Sequence, residues 1–277
     1  MVRGEVRAAT LADVQQAQLR CLRAVATFCD EHDLRYFLDG GTLLGAAREG
    51  EFIPWDDDLD IAMPRQDFDE FARIAPAGLG PQYRVDPYIP FPAQLKVRIP
   101  EILIREDSPL LGIRNSVQPL FIDIFPLEGF RPLPGARWAS THATRVAGIR
   151  EHAVGYARGL DGAQPALRFG LHVLAALPRS LTYTLPRAVF VDPAPVGPGS
   201  LLGHAFASRL RPMFLPYEEV FPLSDIGFEG DVFHAPRNLD RYLRTRYGDW
   251  HTPPPQAARD KGRHVASAYF AADPTAK

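Results

Sequence analysis

Cysteine is scarce in this chain: 277 residues contain two, Cys21 and Cys29. Both fall in one predicted helix, where they stand about 12 Å apart along the axis, too far for a disulfide. Their spacing matches no zinc motif, so both read as reduced core thiols. Histidine occurs eight times, yet never as HxH or HExxH, and no histidine is assigned chemistry. An excess of one charge is lacking too. The net charge is −2 with no long basic run, which excludes bulk nucleic-acid binding of the basic-patch kind. No apolar run reaches the roughly 20 residues of a spanning helix; the longest, around Phe169–Leu177, is broken by His172. Residues 1–20 hold Arg3, Glu5, Arg7 and Asp13, where a secretory signal needs an apolar stretch. No Asn-x-Ser/Thr acceptor occurs. A cytoplasmic location is expected, at most peripheral to the inner face of a membrane.

What is present is an apolar fraction of 46%, enough for a sizeable core and against wholesale disorder. The length suits one large domain, or a core domain with an elaboration. Thr10 and Asp13 form a capping box ahead of a helix whose apolar residues Leu11, Val14, Ala17, Cys21, Leu22, Val25 and Phe28 recur at helical spacing. A short strand is expected at Tyr36–Leu38, a turn at Gly40–Gly41, a helix over Thr42–Arg48, a strand at Leu59–Met63 and a helix over Gln66–Ile74. Strand-like runs follow at Gln82–Val85, Gln94–Ile99, Glu101–Arg105 and Val117–Phe125; Pro100 splits one pair into a bent strand or hairpin, and Pro126 ends the last. From Arg131–Pro134 the composition shifts, and 136–190 reads as mostly helical. Val191–Ser200 reads as a loop, Leu201–Leu210 as a short helix, Phe228–Phe233 as a strand returning to the core and Pro236–Tyr247 as a helix stopped by Gly248. The expected architecture is α/β or α+β with a mixed sheet. Its core spans 1–130 plus 228–250, its helical insertion 131–227 and its loop-like tail 251–277.

The chemistry concentrates in YFLDGGTLLGAAREGEFIPWDDDLDIAM, residues 36–63. In a strand, alternate side chains share a face, so Asp58 and Asp60 point the same way. Asp56 has the same parity and is a third candidate, whereas Asp57 has the opposite parity. Clustered carboxylates repel one another unless a cation joins them, which argues for Mg²⁺ or Mn²⁺ on Asp56, Asp58 and Asp60. The bland alternative is a solvated acidic turn, but such a turn does not normally lead straight into an apolar strand. Asp123 sits in FIDIFPL, an apolar run typical of a central strand, where a carboxylate needs a partner. It is a candidate for a further metal ligand and for the base that takes a proton from an attacking hydroxyl; the alternative is a structural pair with Arg98 or Arg114. Gly40, Gly41 and Thr42 precede a helix, so glycine backbone, a hydroxyl and a helix N-terminus are available to a phosphate. No Gly-Lys-Ser/Thr follows, so this is not a P-loop. Lys96 and Arg98 share one face of QLKVRI, and Arg48 follows the glycine helix; each is a candidate counter-charge for phosphate, or an exposed surface charge.

These residues resemble the LicD phosphotransferases, the family of fukutin and the fukutin-related proteins. The resemblance rests on residues 36–63 and extends through QLKVRI, FIDIFPLEGF and DRYLRTRYGDW, in family order over about 36–126 and 228–250. It implies a nucleotidyltransferase-like fold: a small mixed sheet with a Gly-Gly turn, an Asp-x-Asp strand and a third acid on a nearby strand. Those roles fall on Gly40, Gly41 and Thr42, then Asp58 and Asp60, then Asp123. Sixteen residues separate Gly41 from Asp58, longer than is usual in that fold. Counting from Asp56 fits better, so the ligand pair among Asp56, Asp58 and Asp60 stays open. The implied activity is transfer of a phosphorylated alcohol, such as phosphocholine or ribitol phosphate, from a CDP-activated donor to a glycan or lipid-linked glycan hydroxyl, with release of CMP. A lipid-linked acceptor would suit weak peripheral membrane contact.

Three other readings compete. A nucleotidyltransferase on the same core would attack the α-phosphorus and release pyrophosphate. A glycosyltransferase would place a nucleotide-binding half of roughly 100 residues before its metal motif, whereas here the motif ends at residue 60. A dead-site scaffold would have no use for intact acids.

Overall fold

A computed structural model describes residues 7–86, 94–108, 113–133, 164–204 apart from 179, 213–255 and 265–271, with scattered residues of 138–157. After β1 (Ala8–Ala9), helix α1 (Leu11–Glu31) starts where the capping box predicts. The Thr10 hydroxyl accepts from Asp13 N at 3.2 Å, and Asp13 accepts from Thr10 N at 2.8 Å. Its buried stripe holds Val14, Cys21, Leu22, Val25 and Cys29, so both thiols are free core residues. Then come β2 (Phe37–Leu38), α2 (Gly40–Arg48), β3 (Asp60–Pro64), α3 (Arg65–Gly78), β4 (Arg84–Val85), β5 (Leu95–Ser108) and β6 (Ile113–Phe130). The glycine pair is thus the first turn of α2, and the aspartate strand begins at Asp60, with Asp56–Asp58 as an approach segment outside it.

The main sheet runs β1-β11-β5-β6-β3-β2, where β11 is Val265–Phe270. Every pairing along it is antiparallel except β3 with β6. A mixed sheet flanked by helices is therefore present, as the pattern predicts. On the middle strands Leu95, Val97, Ile122, Ile124, Ile61 and Met63 are buried, and α1 and α3 pack on these strands. The intervening side chains, Lys96, Asp123 and Asp60, belong to the other face, which keeps some access to solvent.

Of the two forms expected for Gln94–Arg105, the bent strand is the one present: β5 runs through Pro100, and the register slips between Ile99 and Leu103, opposite Pro119. A bulge tolerates both prolines because neither has to donate there. β6 continues past Pro126 to Phe130, with Pro126 in register with Met63 across the parallel pair. Leu201–Gly203 is strand β7, paired with Glu128–Phe130, not the start of a helix; residues 205–210 of that predicted helix lie outside the described residues. Phe228–Phe233 is not a core strand but the turn of a separate hairpin, β9 (Ser224–Phe228) with β10 (Asp231–Ala235). It turns at Glu229 and Gly230, both at positive φ. The tail also departs from a loop. β11 inserts between β1 and β5, and Val265 N donates to Asp57 Oδ2 at 2.9 Å.

In the middle block, α4 (Pro165–Ala176) and α5 (Leu185–Phe190) flank a π-helical turn at Ser180–Thr184. Short β8 (Leu215–Pro216) and α6 (Tyr217–Val220) lead to the hairpin, and α7 (Leu239–Tyr247) follows it. Buried Glu128 accepts from both Arg65 of α3 and Arg187 of α5, which ties the helical block to the end of β6. Among the described residues no helix is long and apolar enough to cross a membrane.

Candidate active site

Three neighbouring strands place one row of charge. Asp60 is in register with Asp123 across the parallel pair, and Asp123 with Lys96 across the antiparallel pair. Strands about 4.8 Å apart set these side chains side by side on one face. Lys96 Nζ donates to Asp123 Oδ1 at 2.7 Å and also lies 3.2 Å from the centre of the Phe121 ring. Asp123 therefore has a partner, and it is Lys96. Arg98 is occupied elsewhere, on Asp86 at 2.6 Å and Gln118 at 2.7 Å; the side chain of Arg114 lies outside the described residues.

The start of α2 is pressed onto this row. Gly40 has φ +57°, and a Cβ there would run into Asp60 Oδ2; a Cβ on Gly41 would run into Asp56 Oδ2. Only glycine leaves room for both carboxylates against the helix N-terminus. Thr42 is buried, and its hydroxyl accepts from Asp60 N at 2.9 Å. Asp39 N donates to Asp60 O at 3.0 Å and Asp123 N to Leu59 O at 2.9 Å, so backbone fixes both acids. Gln18 of α1 donates to Asp57 O and Phe121 O, and Gln15 to Asp56 O, which pins the approach segment.

The resulting field is strongly acidic. Burial, then the charge and hydrogen bond of Asp58, pushes the Asp56 carboxyl well above its usual range. Burial, then the charges of Asp58, Asp123 and Asp39, does the same to Asp60, with Arg246 opposing. Asp123 is raised by burial, with Lys96 pulling it back. Among the described residues no three Asp, Glu, His or Cys side chains already converge as a ligand set. Asp56 instead pairs with Asp58 and Asp123 with Lys96, while Asp60 feels the charges of Asp58, Asp123 and Asp39. Crowded, desolvated carboxylates of this kind are the oxygen donors a hard divalent cation takes, and a cation would relieve the repulsion that raises them. The donor chemistry fits Mg²⁺ or Mn²⁺.

The structure thus gathers Gly40, Gly41, Thr42, Asp56, Asp58, Asp60, Lys96 and Asp123, with Arg98 next along the same face. Asp57 points the other way, to β11. Arg48 is not gathered there. It lies about 12 Å along α2 from Gly40, its side chain 7% exposed and paired with Glu49 at 3.6 Å.

A match to the model for the LicD/FKTN/FKRP nucleotidyltransferase domain covers residues 33–90, the segment that carries Gly40–Thr42 and Asp56–Asp60 but not Lys96 or Asp123. The chain resembles the LicD family in this segment. It is 24% identical over 264 residues to the lipopolysaccharide cholinephosphotransferase LicD of Haemophilus influenzae, covering 93% of this chain and 98% of that relative. To the mouse ribitol 5-phosphate transferase FKRP it is 39% identical over 66 residues, 22% of this chain and 13% of that protein. An uncharacterized Rickettsia typhi protein, RT0683, is 36% identical over 92 residues, 29% of this chain and 30% of its own length.

Behind the LicD segment lies a network that sequence reasoning missed. Asp39, with no exposure, receives Arg246 Nη1 on both oxygens at 2.9 Å, the Tyr242 hydroxyl at 2.9 Å and His204 Nε2 at 3.0 Å. Arg246 and His204 hold the Asp39 carboxyl far below its usual range despite burial. Asp39 is the residue before Gly40, so this network clamps the glycine turn to α7. A signal existed in the spacing of Tyr242 and Arg246, four apart in DRYLRTRY, but nothing local links Arg246 to Asp39, 207 residues away. His204 carried no signal.

Proposed function

We propose that this LicD-type enzyme transfers a phosphorylated alcohol from a CDP-activated donor to a glycan hydroxyl, with Mg²⁺ or Mn²⁺ held by Asp56, Asp58, Asp60 and Asp123. One observation carries the reading: Asp60 and Asp123 on adjacent parallel strands, with the Gly40–Gly41 turn packed directly on Asp60 and Asp56. Full-length similarity to a cholinephosphotransferase and local similarity to a ribitol 5-phosphate transferase support the class of cargo.

When bound, the metal supplies charge stabilisation to the phosphate oxygens and to the departing CMP. The protein's own residues do the rest. The N-terminus of α2, opened by Gly40 and Gly41, receives phosphate oxygens at close backbone range. Lys96 sets a positive charge beside the reacting phosphate and orients Asp123. Asp123, its carboxyl raised by burial, takes the proton of the attacking glycan hydroxyl. Arg98, held by Asp86, adds positive potential along the same face. Attack at the phosphorus distal to cytidine breaks its bond to the bridging oxygen, yields a phosphodiester on the glycan and releases CMP.

The test is product analysis with CDP-choline or CDP-ribitol and a lipopolysaccharide-type acceptor. CMP and a new phosphodiester signal in ³¹P NMR are expected. Pyrophosphate released from a nucleoside triphosphate would instead make it a nucleotidyltransferase.

A further inference from the structure

Helix α4 is apolar, PALRFGLHVLAA, yet none of its residues is buried. Ala166, Phe169, Val173 and Ala176, at helical spacing, form an outward stripe in which Phe169 is 72% exposed and Val173 48%. Leu171, Leu174 and Ala175 are half-buried on the inner side, and exposed Arg168 and His172, four apart, line one edge. The next segment repeats the pattern: Leu181, Leu185 and Val189 stand four apart and are all exposed. Scattered exposed apolar side chains need no explanation; two consecutive stripes of them mark a surface that something covers.

Charge identifies the cover. Residues 136–190 contain seven arginines and two acids, in a chain whose net charge is −2. By composition a second copy of this block would carry the same net positive charge, which disfavours self-association. An apolar and anionic partner satisfies both features. At twelve residues α4 is about 18 Å long, short of the roughly 30 Å hydrocarbon core, so it cannot span. Its geometry is that of a helix lying in the headgroup plane with apolar side chains down and arginine beside the phosphates.

We propose that α4 and the Leu181–Val189 stripe dock on an anionic lipid bilayer. The Glu128 clamp on Arg187 makes this surface continuous with β6, five residues beyond Asp123. About 17 Å of strand separates the two, so docking would hold the carboxylate cluster close to the bilayer. That suits a lipid-linked glycan acceptor, a consequence that rests on the proposed activity; the docking itself does not.

The experiment is vesicle flotation of the full chain. One vesicle population is phosphatidylcholine alone, the other equal parts phosphatidylcholine and phosphatidylglycerol. Wild type floats with the anionic vesicles, and raised salt weakens it. Phe169→Asp with Val173→Asp, both at exposed positions, reduces that binding by about tenfold or more. The circular dichroism spectrum and the thermal shift with CDP-alcohols stay unchanged, so failure here is separable from failure of the catalytic reading. The proposal is overturned by wild-type protein that ignores anionic vesicles, by undiminished binding of the double variant, or by wild-type dimers that the double variant dissolves without any vesicle binding.

Discussion

Substituting Gly41 by alanine separates stability from function at a single methyl group. Gly41 lies in α2 with no positive φ, so the backbone accepts alanine. In a helix interior that exchange is ordinarily stabilising by about 0.5–1 kcal/mol. The new Cβ, however, meets Asp56 Oδ2 well inside van der Waals range. Because that atom is the free end of a side chain, the carboxylate swings away, by about 1 Å or more, rather than the helix breaking. The balance for the fold is therefore near zero, a change in stability of less than about 1 kcal/mol. For the site it is a lost or misplaced oxygen, and misplacement on this scale costs roughly 10²-fold in rate. The assay is thermal melting beside initial rates of phosphoalcohol transfer across a Mg²⁺ titration. The expected result is an unchanged melting temperature, a right-shifted metal dependence and a large loss of rate. A folded Gly41→Ala protein with wild-type rates would refute the placement of Asp56 in the site. Gly40→Ala should behave differently, because φ +57° adds roughly 1–2 kcal/mol of backbone strain and costs stability as well.

Other outcomes follow from the same geometry. Asp58→Asn, Asp60→Asn and Asp123→Asn should each lower turnover by roughly 10²-fold or more while melting as cooperatively as wild type; near-normal rates in all three would remove the carboxylates from the chemistry. Asp39→Asn leaves Arg246 buried without its counter-charge and should cost about 3–5 kcal/mol in denaturant unfolding. Since folding depresses the Asp39 carboxyl, its contribution is present above the unfolded value near pH 4 and is lost as pH falls below it; the Asn variant should show a flatter acid limb. Asp56 and Asp60 act in the opposite direction. Their carboxyls are raised, so the folded state binds more protons and metal-free stability declines as pH rises above the ordinary carboxylate range. Added Mg²⁺ should restore it, read as a melting-temperature gain that grows with pH. Cys21 and Cys29 are buried, with thiols pushed up by burial, so a thiol reagent should label neither in the native protein and both in denaturant.

How much of this was written locally can be judged residue by residue. Helix α1 was legible because its capping box and apolar stripe lie within one stretch. The carboxylate row was legible because Asp60 and Asp123 each sit in a run whose apolar neighbours announce a strand, and the family resemblance supplied their adjacency. What stayed hidden depends on distant partners. Lys96 against Asp123 is a register fact, set by how β5 bends at its bulge. Asp39 with Arg246 spans 207 residues. VASAYF becomes a strand because β1 and β5 leave a place between them, not because its own pattern demands one. Arg48 misled for the converse reason: its sequence neighbours place it after the glycine turn, but nine helical residues carry it to the far end.

The most direct test of a metal-dependent site for a CDP-alcohol is a thermal-shift titration with Mg²⁺ or Mn²⁺ against CDP-choline, CDP-ribitol, CDP-glycerol, CTP, ATP and UDP-sugars. A ligand that binds only the native state raises the melting temperature. The expected result is stabilisation by one CDP-alcohol that requires the metal and disappears in Asp60→Asn and Asp123→Asn. Stabilisation by a nucleoside triphosphate alone, or a CDP-alcohol shift that survives both substitutions, would contradict it.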